Sequence, residues 1–90
     1  MMFKEEANRI YFVDENNKMH AEITYTNAGD GIYIIDHTYV EPSHQGRGIA
    51  KKLVFAVVQK ARSENKKIVP LCPFANAEFE RNIQYLDVKK

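Results

Sequence analysis

Apolar positions along the chain change their spacing several times, and each change marks an element. Ile10, Tyr11, Phe12 and Val13 stand in a row at 9–13, a short run that reads as a strand. Asp14, Glu15, Asn16, Asn17 and Lys18 follow, and these are turn-forming side chains. Across 19–26 the alternation is strict. Met19, Ala21, Ile23 and Tyr25 share one parity, and His20, Glu22, Thr24 and Thr26 the other. Period two with a polar face predicts a strand that is packed on one side and wet on the other. Asn27, Ala28, Gly29, Asp30 and Gly31 predict the loop of a hairpin. Residues 32–40 alternate again, but both parities carry bulk: Ile32, Ile34, Thr38 and Val40 against Tyr33, Ile35, His37 and Tyr39. That pattern predicts a strand covered on both faces.

Beyond a polar stretch at 41–47, which holds Pro42 and Gly46, the period becomes three and four. Ile49, Leu53, Val54, Val57, Val58 and Ala61 form one stripe, and Lys51, Lys52, Gln59, Lys60 and Arg62 lie off it. This predicts an amphipathic helix from Gly48 to about Asn65. Residues 68–72 are an apolar run too short for a helix and read as a buried parallel strand. Phe74, Ala75, Ala77, Phe79 and Ile83 predict a second, shorter helix over 74–82, and 87–90 are expected to fray. The order is β-β-β-α-β-α in a single domain over residues 1–90. It is an α+β fold with a mixed sheet, antiparallel N-terminal strands and one right-handed parallel crossover. Ligands of such sheets gather beyond the carboxyl ends of the strands. Here that edge carries the loop after Val40 and the residues after Cys72.

Composition narrows the function classes. The net charge is +1, with 28% charged and 44% hydrophobic residues. That balance suits a globular domain and offers no general attraction for nucleic acid or membrane, so any anion site must be local. One cysteine, Cys72, allows no intrachain disulfide and fits a reducing cytoplasm. The first residues carry Lys4, Glu5 and Glu6 and do not resemble a signal peptide; no run approaches a membrane span.

The local anion site is the segment Gln45-Gly46-Arg47-Gly48-Ile49-Ala50, which joins the third strand to the long helix. Amides in the first turn of a helix have no intrahelical partner and carry the positive end of its dipole. An anion satisfies them. Gly46 and Gly48 leave the backbone bare for close approach, Ala50 keeps the next turn slim, and Arg47, Lys51 and Lys52 add charge.

This segment resembles the pyrophosphate signature of the GCN5-related N-acetyltransferase (GNAT) family, Gln/Arg-x-x-Gly-x-Gly/Ala. The resemblance extends over Asp36-His37-Thr38-Tyr39-Val40 and Val69-Pro70-Leu71-Cys72-Pro73-Phe74, and so covers about residues 32–88, toward a subfamily of very small members. It implies a minimal GNAT fold and acetyl-coenzyme A as co-substrate. It also implies a pyrophosphate site on Gln45, Gly46, Arg47, Gly48, Ile49, Ala50 and Lys51. The pantetheine arm would lie along Thr38, Tyr39 and Val40, and the two parallel strands would splay apart around the thioester. Pro70, which has no N–H, suits a strand that is leaving its ladder. Small relatives tend to carry Glu where this chain has Tyr39 and His-Pro where it has Asn82 and Ile83, so no role transfers to those positions. The helices that form the acceptor pocket of longer members are also absent.

Cys72 is the candidate catalytic residue, as an acyl-accepting nucleophile or as a thiol beside the thioester, aided by the dipole of the second helix; the plainer alternative is a small buried hydrophobe. Glu41 reads first as a solvated loop carboxylate and second as a base. His37 reads as a core histidine before a base, and His44 as a loop residue before a phosphate neighbour. Tyr85 is a remote candidate for the general acid, and Phe55, off the helical stripe, for a contact surface. His20, His37, His44 and Cys72 have no metal-ligand spacing, so no metal is expected. The function expected is acetyl transfer to an amine, with a coenzyme A binding module as the alternative. A nucleic-acid binder using Arg47, Lys51 and Lys52 is disfavoured by the charge balance.

Overall fold

A computed structural model describes residues 2–90. Five strands, β1 (Met2–Glu6), β2 (Arg9–Val13), β3 (Met19–Gly29), β4 (Ile32–Val40) and β5 (Lys67–Pro70), lie side by side in chain order. β1 to β4 are antiparallel to their neighbours and β5 is parallel to β4. Helix α1 (Ile49–Ser63) makes the crossover, and α2 (Pro73–Arg81) follows β5. The mixed sheet and single crossover are as the sequence predicts. β1 is an addition: its one apolar residue on the core side, Phe3, rests on Phe12 at 5.1 Å, too little to leave a sequence pattern.

One core lies between the sheet and the helices. α1 buries Ile49, Leu53, Val54, Val57, Val58 and Ala61 against Ile10, Ile23, Tyr25, Tyr33 and Ile35, and α2 adds Ala75 and Phe79. Each Val, Leu, Ile or Phe among these contributes roughly 1.5–3 kcal/mol before chain entropy is subtracted. α1 stops at Ser63, short of the expected Asn65. Asn65 adopts a left-handed φ of 56°, and the Lys66 and Asn65 amides donate back to the carbonyls of Ala61 (2.8 Å) and Arg62 (3.3 Å). That pairing is a Schellman stop.

The remaining differences trace to local pairing. β3 runs on to Gly29, leaving only Asp30 and Gly31 in the turn. Their φ values, 51° and 74°, suit the two-residue turn whose twist matches the strands. β5 is shorter than 68–72 because Leu71 and Cys72 both turn their amides to the Ile35 carbonyl, each at 3.2 Å. The end of the chain is pinned rather than frayed. The Ile68 amide donates to Val88 and the Lys90 amide to Ile68, Val88 is buried, and Asp87 accepts a forked pair from Arg62.

Two bulges reset the alternation. Thr24 pairs with His37 but Tyr25 with Ile35, so Asp36 is the extra residue in β4. Before it, odd residues Tyr33 and Ile35 face the core. After it, even residues Thr38 and Val40 turn inward, while His37 and Tyr39 are exposed. This overturns the expectation of a strand covered on both faces and of His37 as a core histidine. Likewise Phe12 pairs with Ala21 and Val13 with Met19, which makes His20 the extra residue of β3. His20, placed by its spacing on the wet face, is 6% exposed.

Candidate functional site

β4 has a different fate on each side. Its ladder with β3 continues to Val40, opposite Ala21, whereas its ladder with β5 ends at Ile35 opposite Pro70. Pro70 has no N–H to continue it. From Asp36 onward the strands part. A cleft of about 370 Å³ opens there, lined by Thr38 and Val40 from β4, His44 to Gly46 from the loop, Gly48 to Lys51 at the start of α1, and Phe74 from α2.

The floor of the cleft is the beginning of α1. Gly48, φ 75°, is a left-handed cap residue rather than the first helical residue, and no side chain among the described residues caps the turn. The first helical bond runs from the Lys52 amide to the Gly48 carbonyl, 3.1 Å, which leaves the amides before Lys52 to other partners. No acidic side chain occupies the first turn. Gly46 is also left-handed, φ 82°. The loop is braced from β4, since Gln45 Nε2 donates to the Val40 carbonyl at 3.1 Å. The arrangement offers bare backbone, amide donors and a dipole, and an anion is what such a helix start can accept.

Of the residues expected to bind coenzyme, Thr38, Val40, Gln45, Gly46, Gly48, Ile49, Ala50 and Lys51 line this cleft. Arg47 and Tyr39 do not; Arg47 is exposed on the loop, and the Asp36 bulge turns Tyr39 to the other face of the sheet. Cys72 caps α2 and is buried behind Thr38, with its thiol donating to the Thr38 hydroxyl at 3.4 Å. Burial pushes this thiol up. Thr38 and the amides of Ala75, Phe74 and Thr38 outweigh that and hold it below the ordinary value.

The minor candidates fare differently. His44 lines the cleft. Tyr85 packs into the core against Phe79, ring centroids 5.4 Å apart, and its hydroxyl is pushed up by burial and by Glu78, so it is no acid for the cleft. Phe55 is 41% exposed and stacks on Tyr85. Glu41 is not freely solvated: its carboxylate meets His20 Nδ1 at 2.5 Å, and that contact, foremost, holds it below the usual range and makes it a poor base.

His20, Glu41 and His44 bring potential metal-ligating atoms within 4.8 Å of one another, a gathering the sequence spacing did not reveal. The His20 and His44 rings are stacked, 3.9 Å apart and 19° from parallel. Imidazole lone pairs lie in the ring plane, so two stacked rings cannot converge on one ion. Both nitrogens of His20 are already engaged, by Glu41 and by Asp14 at 2.7 Å. As it stands, His20 is committed to an ion-paired brace.

Residues 9–88 match the family model of the GCN5-related N-acetyl-transferases. A GCN5-like protein of Staphylococcus aureus, solved in solution, is 41% identical, with a TM-score of 0.81 over 99% of this chain and 87% of that one. Two other structures share the fold at lower identity. Escherichia coli YhbS in complex with CoA is 14% identical (TM-score 0.63; 70% of this chain, 38% of that one). Mycobacterium tuberculosis Rv2747, in complex with CoA and NLQ, is 16% identical (TM-score 0.64; 82% and 46%). Among curated proteins none matches. No helix among the described residues is long and apolar enough to cross a membrane.

Proposed function

The chain belongs to the GCN5-related N-acetyltransferase family, and from that premise we propose that it transfers an acetyl group from acetyl-coenzyme A to an amine in the cytoplasm. The observation that carries this reading is the uncapped start of α1 opening onto the gap where β4 leaves β5. The pyrophosphate sits on the backbone of Gly46 to Ala50, with Lys51 and Arg47 supplying charge. The pantetheine arm runs along the freed edge of β4 at Thr38, Tyr39 and Val40, adding itself as an extended strand. This carries the thioester toward Thr38 and Cys72.

Transfer requires the amine, as its free base, to attack the thioester carbonyl carbon. The carbon–sulfur bond then breaks, and coenzyme A leaves as a thiolate that takes up the proton lost by the amine. Cys72 is the catalytic candidate. Its thiolate attacks the same carbon first, coenzyme A departs, and the amine then displaces Cys72. Orientation within the cleft supplies much of the rate on either route. The mass of the intact protein after exposure to acetyl-coenzyme A distinguishes them, since only the Cys72 route leaves an acetyl adduct.

A second reading, a coenzyme A binding module without turnover, is favoured by one observation. Cys72 lies behind Thr38 and not on the cleft wall. Release of free thiol in the presence of a panel of amines separates the two. For both readings, acetyl-coenzyme A at a hundredfold excess over Kd stabilises the fold by about 2.7 kcal/mol. A domain of this size gains roughly 4–8 °C in melting temperature per kcal/mol. An analogue lacking the pyrophosphate should do far less. The absence of any shift at millimolar acetyl-coenzyme A rejects both readings.

A further inference from the structure

The coenzyme loop is also held from outside itself, by a residue of β3. His20, the extra residue of the β3 bulge, turns its ring into the protein and engages a carboxylate at each nitrogen, Asp14 at 2.7 Å and Glu41 at 2.5 Å. A neutral imidazole has one N–H and would present a lone pair to one of those carboxylates. Two carboxylates therefore call for the doubly protonated ring.

Each partner is fixed independently. Asp14 organises the β2–β3 turn, its Oδ1 accepting from the amides of Asn16 (2.8 Å) and Lys18 (3.0 Å). Glu41 is held a second time, through its amide, which donates to the His20 carbonyl at 2.8 Å. Glu41 also opens the single turn Pro42–His44 and accepts the His44 amide at 2.8 Å. At the end of that turn, His44 lays its ring on His20 and borders the cleft, with Gln45 and Gly46 directly after it.

We propose that His20 is the positioning residue of the coenzyme loop: clamped as an imidazolium between Asp14 and Glu41, it pins the Pro42–His44 turn and so sets His44 and the Gly46–Gly48 backbone for the anion. The inference rests on the coenzyme reading of the cleft. It gives the site a protonation dependence that originates outside the site.

The sign follows from the partners. Asp14 foremost, then Glu41, raises the His20 pKa above the ordinary 6.5 against the opposing effect of burial. The other group facing the ring is His44, and Lys18 acts on Glu41. A raised histidine contributes its grip fully below the ordinary value and loses it as pH rises through the folded value. Asp14, lowered to about 2, and Glu41, also lowered, contribute above their ordinary values and fail only as pH falls through the depressed ones. The loop should hold its geometry on a plateau from weakly acidic pH up to the raised value of His20 and loosen on the alkaline side of it.

The test pairs an NMR pH titration of the ligand-free protein with calorimetric coenzyme A affinities over the same range, for the wild type and His20→Gln. The amides of Ser43, His44, Gln45 and Gly46 should move with the titration of the His20 ring. Affinity should fall several-fold across it. In His20→Gln, affinity should be weaker by a similar factor at pH 6.5, and this part of the pH dependence should vanish. Amides that ignore the His20 titration overturn the proposal, as does a variant that keeps wild-type affinity, or one that keeps the full pH dependence, which would assign it to His44. If the wild type binds no coenzyme A at any pH, the coenzyme reading fails, while the amide titration, which needs neither ligand nor variant, still decides whether His20 governs the turn.

Discussion

The two edges of β4 differ although they belong to one strand. On the β3 side, pairing runs the length of the strand and absorbs a bulge at Asp36 without parting. On the β5 side it stops at Ile35 and Pro70, and the cleft begins at once. The paired edge is scaffold: its inward residues, Ile23, Tyr25, Tyr33 and Ile35, are all buried in the core. The parted edge exposes backbone that an extended ligand can pair with, beside a helix start that no side chain among the described residues caps. On the proposed function, stability and binding are drawn from opposite sides of the same strand, and substitutions on the two sides should separate them.

The largest effect is expected on the scaffold. Ile23→Ala empties a fully buried position and should cost ~2–5 kcal/mol, a large share of the stability of a 90-residue domain. Coenzyme affinity per folded molecule should be unchanged. Denaturant unfolding and calorimetry check the two halves, and a loss of affinity beyond the unfolded fraction breaks the separation.

Next is Cys72→Ala. If Cys72 carries the acetyl group, transfer should fall about a hundredfold or more, or ~2.7 kcal/mol in the barrier. Coenzyme A affinity should stay within a few-fold, and the acetyl adduct should disappear from the mass spectrum. If the thiol only fills space, turnover persists and stability drops by ~1–2 kcal/mol.

Third is the helix start. Gly48→Val is a poor instrument. Space for a Cβ is open, but the left-handed φ of 75° strains any β-branched residue whatever the ligand does. Ala50→Glu is cleaner. A carboxylate in the first turn suits the helix dipole, so the melting temperature should hold or rise. The same charge repels a pyrophosphate, and affinity should fall about tenfold, ~1.4 kcal/mol. Unchanged affinity would put the phosphates elsewhere.

The smallest effect is expected for Thr38→Val. Loss of the hydroxyl removes the leading interaction that lowers the Cys72 pKa while burial continues to raise it. The thiol should therefore titrate at higher pH, and alkylation near neutrality should slow a few-fold. An unmoved alkylation profile would leave the α2 amides as the controlling group.

How much was legible depended on whether the signal was local. The α1 stripe was read residue by residue, because all six positions follow from one helical period. The glycine loop was legible because left-handed backbone and a helix start leave their mark in adjacent residues. Tyr39 and His37 are exposed where the alternation predicts cover, because one inserted residue, Asp36, reverses the parity of everything after it, and nothing about Asp36 itself announces a bulge. β1 and the C-terminal bridge to Ile68 were missed for another reason. Their stability comes from a neighbour's backbone, whose hydrogen bonds carry no sequence pattern.

The sequence alone determined the order of elements from β2 onward, the stripe that α1 buries, and the glycine-rich start of that helix, since each rests on a spacing within a few residues. Tertiary structure decided where β4 and β5 part, that Cys72 lies against Thr38, and that His20 meets Asp14 and Glu41 beneath the loop. Those contacts join residues 6 to 35 positions apart, and bulges and strand register, not periodicity, fix which side chains meet.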